Sequence, residues 1–160
     1  MQTFLPYRDF AETARCLDRP RLGNQRLEAW WAIDVSIKVL DNQKPRYSNH
    51  PTRLMWENNL HSLCNYGIAI CDEWRRRGYV DRMRDRFIDV RKRFKDNGPP
   101  SWMEWDGFFL AHKSNLLRKG RERLIEKGEA DILNHYKALW PDVPEDLPYI
   151  WPSQNMHLLP

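Results

Sequence analysis

The apolar residues of the chain recur with the 3.6-residue period of an α-helix, and sustained strand-like alternation is absent. The clearest seam lies between Thr52 and Arg77, at successive steps of four and three residues: Trp56, Leu60, Leu63, Gly67, Ile70 and Trp74. These steps place all six on one helical face. Pro51 suits the first turn, Asn49 or His50 can cap it, and Gly78 suits its end. The pattern predicts one long helix.

A second helix is predicted from about Pro20 to Leu40. Its buried stripe is expected to consist of Leu27, Trp30, Ile33, Ile37 and Leu40. Asp9 is placed to cap a short helix through Leu17, and Asp81 to cap another through Lys95. Further helices are predicted at about 107–127 and 130–139.

The region after Trp140 contains four prolines, at positions 141, 144, 148 and 152, which oppose regular structure. A chain of 160 residues is long enough for one domain with a core and short for two. We therefore expect an all-α fold: a single compact helical domain over residues 1–160 with an irregular C-terminal tail rich in proline and aromatic residues.

Composition excludes several classes of protein. No apolar run approaches the ~18 residues that a membrane-spanning helix needs, and no secretory signal pattern is present. The three cysteines form an odd set, which favours a reducing, cytoplasmic setting over a disulfide framework. The sequence contains no glycine-rich phosphate loop, HExxH or CxxC motif, so no metal site or cofactor is expected. We expect a monomer.

The basic residues are concentrated in two stretches. Ten Lys and Arg residues between Arg75 and Lys95 face three aspartates, a local balance of +7 in a chain whose total is +4. A second basic stretch runs from Lys113 to Lys127. Concentrated positive charge favours a polyanionic partner such as nucleic acid, although a solvated helix face gives the same pattern. The C-terminal aromatic residues fit either base stacking or the clamping of helices.

One face of the second helix is polar. Its members stand at i, i+3, i+4 and i+7: Arg21, Asn24, Gln25 and Glu28. Residues at this spacing share a helical face. The face can carry chemistry, or it can be an exposed polar surface with a stabilising charge pair.

Several short segments occur in an order and spacing that resemble the pyrimidine dimer DNA glycosylases related to phage endonuclease V. They are Leu17-Asp18 through Leu22 to Glu28, Asn49-His50-Pro51, Glu73 to Tyr79, His112 with Leu116 to Lys119, and Tyr149-Ile150-Trp151-Pro152. The resemblance implies an all-α glycosylase that also cleaves abasic sites. Its substrate would be double-stranded DNA that contains a damaged or modified pyrimidine.

The resemblance also implies particular residue roles. The N-terminal α-amine would attack C1′ of the damaged nucleotide, and Glu28 would support the chemistry at the sugar. Because Gln2 is bulky and disfavours removal of the initiator, Met1 is expected to provide the amine; if Met1 is removed, Gln2 can cyclise and lose it. The residues expected to contact DNA are Arg21, Gln25, Arg26, His50, His112, Lys113, Arg118 and Lys119.

An α-amine is a reasonable nucleophile on physical grounds. Its pKa of ~7.7–8 lies well below the ~10.4 of lysine, so near neutral pH its uncharged fraction is several hundredfold larger. The sequence leaves two alternatives open. One is a binder or modifier of damaged or hypermodified bases that does not excise them, and the other is a helical interaction protein without a nucleic-acid partner.

Overall fold

A computed structural model describes residues 2–152, and within this range the chain forms seven α-helices and one short 3₁₀ helix. The helices are α1 (Phe10–Cys16), α2 (Arg19–Leu40), α3 (Pro51–Trp56), α4 (Leu60–Arg76), α5 (Arg84–Arg91), α6 (Asp106–Lys127) and α7 (Asp131–Leu139). The 3₁₀ helix is Ser101–Glu104. No strand occurs in the described part, which confirms the predicted all-α class. None of these helices is both long and apolar enough to cross a membrane.

Two glycines mark the closest helix contacts. A Cβ atom on Gly67 of α4 would lie 2.5 Å from the ring of Phe87 in α5, and one on Gly120 of α6 would lie 2.8 Å from Cα of Leu133 in α7. Only a residue without a side chain lets the partners approach this far. These two glycines therefore set how α4 packs on α5 and how α6 packs on α7.

The single long helix predicted over Thr52–Arg77 is wrong, because α3 and α4 are separate helices with a break at residues 57–59. Asn59 lies in the break and donates a side-chain hydrogen bond to the carbonyl of Gly98 at 3.1 Å. This bond holds the chain at the break against a loop 39 residues away, so a tertiary contact accompanies the interruption. The predicted start is confirmed: Pro51 begins α3, and Nδ1 of His50 accepts a hydrogen bond from the backbone N–H of Thr52.

The predicted bounds of α2 are close, but the predicted buried stripe is wrong at two positions. Leu27 and Leu40 are 59% and 63% exposed. The side that faces the core instead carries small and polar residues: Leu22, Gln25, Ala29, Ala32, Ile33, Val35 and Ser36. Small residues allow α4 to approach closely, and the polar ones have hydrogen-bond partners inside. The positions of the large apolar residues therefore do not predict which side of α2 faces the core.

Asp9 caps α1 as predicted, whereas the N-cap of α5 is Met83, and Asp81 lies two residues before it. The Asp9 carboxylate accepts a hydrogen bond from the N–H of Glu12 at 2.7 Å, at the start of α1. The Asp81 carboxylate accepts from the N–H groups of Met83 and Arg84, at 3.2 and 2.9 Å. However, α5 ends at Arg91, four residues before the predicted end, because the chain turns there.

Most of the C-terminal aromatic residues clamp the fold together. Trp102, Tyr136 and Trp140 are buried, whereas Trp105 is 44% exposed. The chain after Trp140 carries no helix as far as residue 152, yet Ile150 is buried in the core. The described tail is therefore irregular, as predicted, but packed.

Candidate active site

Residues 2–7 precede α1, form neither helix nor strand, and are held against α2 by a buried amide. Gln25 is 2% exposed, and its Oε1 accepts a hydrogen bond from the N–H of Phe4 at 2.9 Å. Its Nε2 donates to the carbonyl of Gln2 at 3.0 Å. The Tyr66 hydroxyl donates to Gln25 Oε1 at 2.6 Å and lies 3.0 Å from the Phe4 carbonyl. This network fixes the position of the chain start.

Two further side chains anchor the same segment. The indole N–H of Trp56 donates to Oγ1 of Thr3 at 3.0 Å, and the N–H of Leu5 donates to Nδ1 of His112 at 2.9 Å. His112 has no exposed surface, and burial lowers its pKa to about 3. A neutral, enclosed ring presents nothing to DNA. His112 is therefore a structural anchor in α6 and not the predicted DNA contact.

Glu28 lies beside the start of the chain. The backbone N–H of Gln2 donates to Oε2 of Glu28 at 3.2 Å. Burial raises the pKa of Glu28, and this hydrogen bond partly offsets the rise. Met1 lies outside the described residues. The predicted nucleophile, the α-amine of Met1, therefore stays a prediction.

A pocket of about 310 Å³ opens at this point. It is lined by Gln2, Phe4, Pro20, Arg21, Asn24, Gln25, Glu28, Lys119 and Arg123. The pocket therefore combines one carboxylate, several amides and three cations from α2 and α6. Nε2 of Gln2 is buried and has no hydrogen-bond partner among the described residues, so it is available as a donor.

The three cations of the pocket are held by acidic neighbours. Arg21 pairs with Asp18 at 2.9 Å, Lys119 with Glu122 at 2.8 Å, and Arg123 with Glu129 at 2.6 Å. The last two pairs are partly exposed, and exposed ion pairs contribute little to stability. Lys119 and Arg123 can thus exchange a carboxylate for a phosphate at small cost.

Comparison with known families gives one match. Residues 1–87 match the family described as pyrimidine dimer DNA glycosylase. The chain belongs to this family. The matched part contains Gln25 and Glu28, whereas Lys119 and Arg123 of the glycosylase come from outside it. No curated protein and no solved structure matches the chain.

Three other cations predicted to contact DNA lie away from the pocket of the glycosylase. Arg26 pairs with buried Asp81 at 2.8 Å, and its guanidinium lies 4.3 Å from the Trp74 ring centroid. The ammonium of Lys113 lies 4.7 Å from the Tyr7 ring centroid. Arg118 donates to the carbonyl of Leu147 at 3.2 Å and to Asn115, which fastens the tail. All three side chains are therefore held by contacts within the protein.

The remaining predicted residue, His50, lies in a group of aromatic rings rather than among cations. Its ring centroid is 5.2 Å from that of Trp31 and 6.1 Å from that of Trp151. Burial lowers the pKa of His50, so at neutral pH it offers an uncharged ring. A DNA contact by His50 stays a prediction, but as a ring rather than as a charge.

Four of the predicted residues therefore line one pocket: Arg21, Gln25, Glu28 and Lys119. Arg123 lines the same pocket and was not predicted. The spacing of Arg123 from Lys119, i and i+4 on α6, is a signal that could have found it. Among the described residues, no three His, Cys, Asp or Glu side chains stand close enough to hold a metal ion.

Proposed function

We propose that this DNA glycosylase excises a damaged pyrimidine with its N-terminal α-amine and then nicks the strand at the resulting site. The observation that carries the proposal is the hydrogen bond between the N–H of Gln2 and the Glu28 carboxylate. This contact holds residue 2, the neighbour of the proposed nucleophile, next to a carboxylate that lines a pocket with basic walls.

The chemistry needs an uncharged amine and a nearby carboxylate. The amine nitrogen forms a bond to C1′, the bond from C1′ to the base breaks, and the base departs with that electron pair and takes up a proton. Opening of the sugar then gives a protonated imine between C1′ and the amine. Removal of a proton from C2′ breaks the bond from C3′ to its phosphate oxygen, and water finally releases the amine.

Glu28 suits two steps of this reaction. As a carboxylate it stabilises the positive charge that develops on the sugar, and it can then relay protons during ring opening and elimination. Its raised pKa brings proton exchange closer to neutral pH than for an ordinary glutamate.

The pocket fits a single nucleotide better than a duplex. Its volume of about 310 Å³ lies at the lower end for small-molecule sites. A base within a duplex must be turned out of the stack to reach such a site. Arg21, Lys119 and Arg123 would then neutralise the flanking phosphates, so binding should weaken steeply with salt.

Borohydride trapping tests the proposal. The protein is incubated with a duplex that contains one abasic site, and borohydride reduces any imine to a stable amine. We expect a covalent adduct that maps to the N-terminal peptide by mass spectrometry. Adduct formation should fall strongly in Glu28→Gln and stay unchanged in Glu104→Gln, because Glu104 is exposed in the 3₁₀ helix and does not line the pocket.

Two outcomes would contradict the mechanism. One is an adduct on an internal lysine, and the other is salt-dependent binding of damaged DNA with neither adduct nor strand cleavage. The second outcome would instead support a binding protein on the glycosylase fold.

A further inference from the structure

Arg21 differs from the other two cations of the pocket in how firmly it is held. The Arg21 and Asp18 side chains are only 15% and 7% exposed, and Nη1 of Arg21 donates to Oδ2 of Asp18 at 2.9 Å. Lys119 and Arg123 hold their acidic partners at the partly exposed surface. Water and salt screen an enclosed ion pair much less than an exposed one. Arg21 is therefore a fixed cation, whereas the other two are free to move.

Asp18 is held in turn by Tyr136, a residue of α7. The Tyr136 hydroxyl donates to Oδ2 of Asp18 at 2.5 Å and accepts the backbone N–H of Asp18 at 3.1 Å. Burial raises the pKa of Tyr136, so the hydroxyl keeps the proton that it donates. The Tyr136 side chain is fully buried, and its ring stacks on that of Trp140 with the centroids 5.4 Å apart. The hydroxyl therefore has a fixed position.

Capping of α2 does not require this arrangement. Oδ1 of Asp18 alone accepts the backbone N–H of Arg21, at 3.1 Å, and an asparagine or serine would cap the helix equally well. The second oxygen, Oδ2, receives both the Tyr136 hydroxyl and the Arg21 guanidinium. For packing alone, a phenylalanine at position 136 would avoid the cost of burying a hydroxyl. The two bonds to Oδ2 therefore indicate a role that is directed at Arg21.

The Arg21 guanidinium still has donors for a ligand. It lines the pocket together with Glu28, which lies seven residues further along the same face of α2. In the part of the chain that the structure describes, the guanidinium hydrogen-bonds through Nη1, so its other N–H groups remain available. The planar guanidinium matches a phosphate group in shape. A fixed Arg21 would hold a DNA phosphate in one geometry relative to Glu28.

We propose that Tyr136 is a positioning residue of the glycosylase, which acts through Asp18 to fix Arg21 as a phosphate anchor of the active site. This inference rests on the proposed function, because it takes the reaction at the sugar to occur beside Glu28. An anchored phosphate fixes the place of the adjoining sugar, and a misplacement of about 1 Å costs about 100-fold in rate. Tyr136 lies outside residues 1–87, so the part of the chain beyond the family match supports the site.

A double-mutant cycle tests the link from Tyr136 to Arg21. Tyr136→Phe, Arg21→Ala and the double variant are compared by the rate at which saturating enzyme nicks a duplex with one abasic site. We expect Tyr136→Phe to lower this rate about 10- to 100-fold. The double variant should be only as slow as Arg21→Ala, because the hydroxyl acts through Arg21. The control is His135→Ala, which removes a different contact of α7, 2.7 Å from His135 Nε2 to the Cys16 carbonyl, and should keep the rate.

Asp18→Asn tests the same link without a change in α7. Asparagine keeps the cap of α2 but removes the charge that holds Arg21. Loss of a negative charge favours DNA binding, so the affinity for the duplex should not fall. The rate at saturation should nevertheless fall about 10- to 100-fold, because Arg21 is no longer fixed. This variant decides the question if Tyr136→Phe is not folded at the assay temperature.

A third measurement does not depend on any reaction. Proton exchange between the Arg21 guanidinium and water, followed by NMR, should be slow in wild type and His135→Ala, and Tyr136→Phe should lose this slow exchange. Three results would overturn the positioning role: a wild-type rate in folded Tyr136→Phe or in Asp18→Asn, single effects that multiply in the double variant, and exchange that Tyr136→Phe leaves unchanged. If wild type nicks no abasic duplex, the proposed function fails, while the exchange measurement still decides whether Tyr136 fixes Arg21.

Discussion

Mild acid should weaken the fold through His112, whose ring is enclosed by other aromatic groups. Its centroid lies 4.2 Å from that of Phe108 and 5.2 Å from that of Tyr149, and its Nδ1 accepts the N–H of Leu5. A proton on Nδ1 would remove this acceptor and place a charge in the core. Burial accordingly lowers the pKa of His112 to about 3 in the folded protein, against ~6.5 in the unfolded chain.

The sign and the size of the effect follow from this difference. Since the folded pKa is depressed, the stabilising contribution of His112 is complete above pH ~6.5 and is lost as the pH falls towards about 3. Within that window the free energy of unfolding falls by about 1.4 kcal/mol per pH unit. Between pH 7.5 and pH 5 the loss amounts to about 2 kcal/mol.

Urea unfolding at pH 7.5 and pH 5 measures the loss. The matched variant is His112→Asn, whose side-chain oxygen can still accept the N–H of Leu5. The variant should be less stable at pH 7.5, because ring packing is lost, but its stability should fall by about 2 kcal/mol less on acidification than that of wild type. His50 also has a lowered pKa, but both proteins contain it, so its contribution cancels.

Equal acid sensitivity of wild type and His112→Asn would refute this reasoning. The effect should also reach the active site, because Leu5 and Gln2 belong to one extended segment. Release of Leu5 would loosen the contact of residue 2 with Glu28. We therefore expect wild-type excision to decline over the same acid range.

Three further predictions concern the site and the packing. Glu28→Gln should slow base excision about 10²–10⁴-fold. The variant should nevertheless unfold at the same or a higher temperature than wild type, because the raised pKa of Glu28 means that folding disfavours its ionised form. A lower unfolding temperature would contradict this. Lys119→Ala should weaken duplex binding and reduce the slope of log affinity against log salt by about 0.9, and an unchanged slope would remove Lys119 from the interface. Gly67→Ala should lower the free energy of unfolding by about 1–3 kcal/mol in a denaturant titration, because the new methyl group would lie 2.5 Å from Phe87.

Local signals explain why most of the helices could be predicted. The aspartate that caps α1, the His50-Pro51 start of α3 and the Gly128 end of α6 all act within one turn. The break between α3 and α4 could not be predicted in this way. It depends on a hydrogen bond from Asn59 to Gly98, residues that are 39 positions apart in the chain.

In the candidate site, too, contacts between distant parts of the chain could not be predicted. Helical spacing correctly placed Arg21, Gln25 and Glu28 on one face, but it could not say which residues of α6 would stand opposite them. Lys119 faces the pocket, whereas Arg118, its neighbour in the sequence, holds the tail. Adjacent residues on a helix point about 100° apart, so one basic stretch serves two different surfaces.

The polar residues on the inward face of α2 are explained by residues 2–7, which they bind. Residues 2–7 form no helix and join no sheet within the described part of the chain, so their backbone groups need side-chain partners. Gln25 satisfies the N–H of Phe4 and the carbonyl of Gln2 together. A leucine at position 25 would suit the helix and the core, but it would leave these buried groups unsatisfied at about 1–3 kcal/mol each. The polar residue at this position thus couples the stability of the fold to the position of residues 2–4.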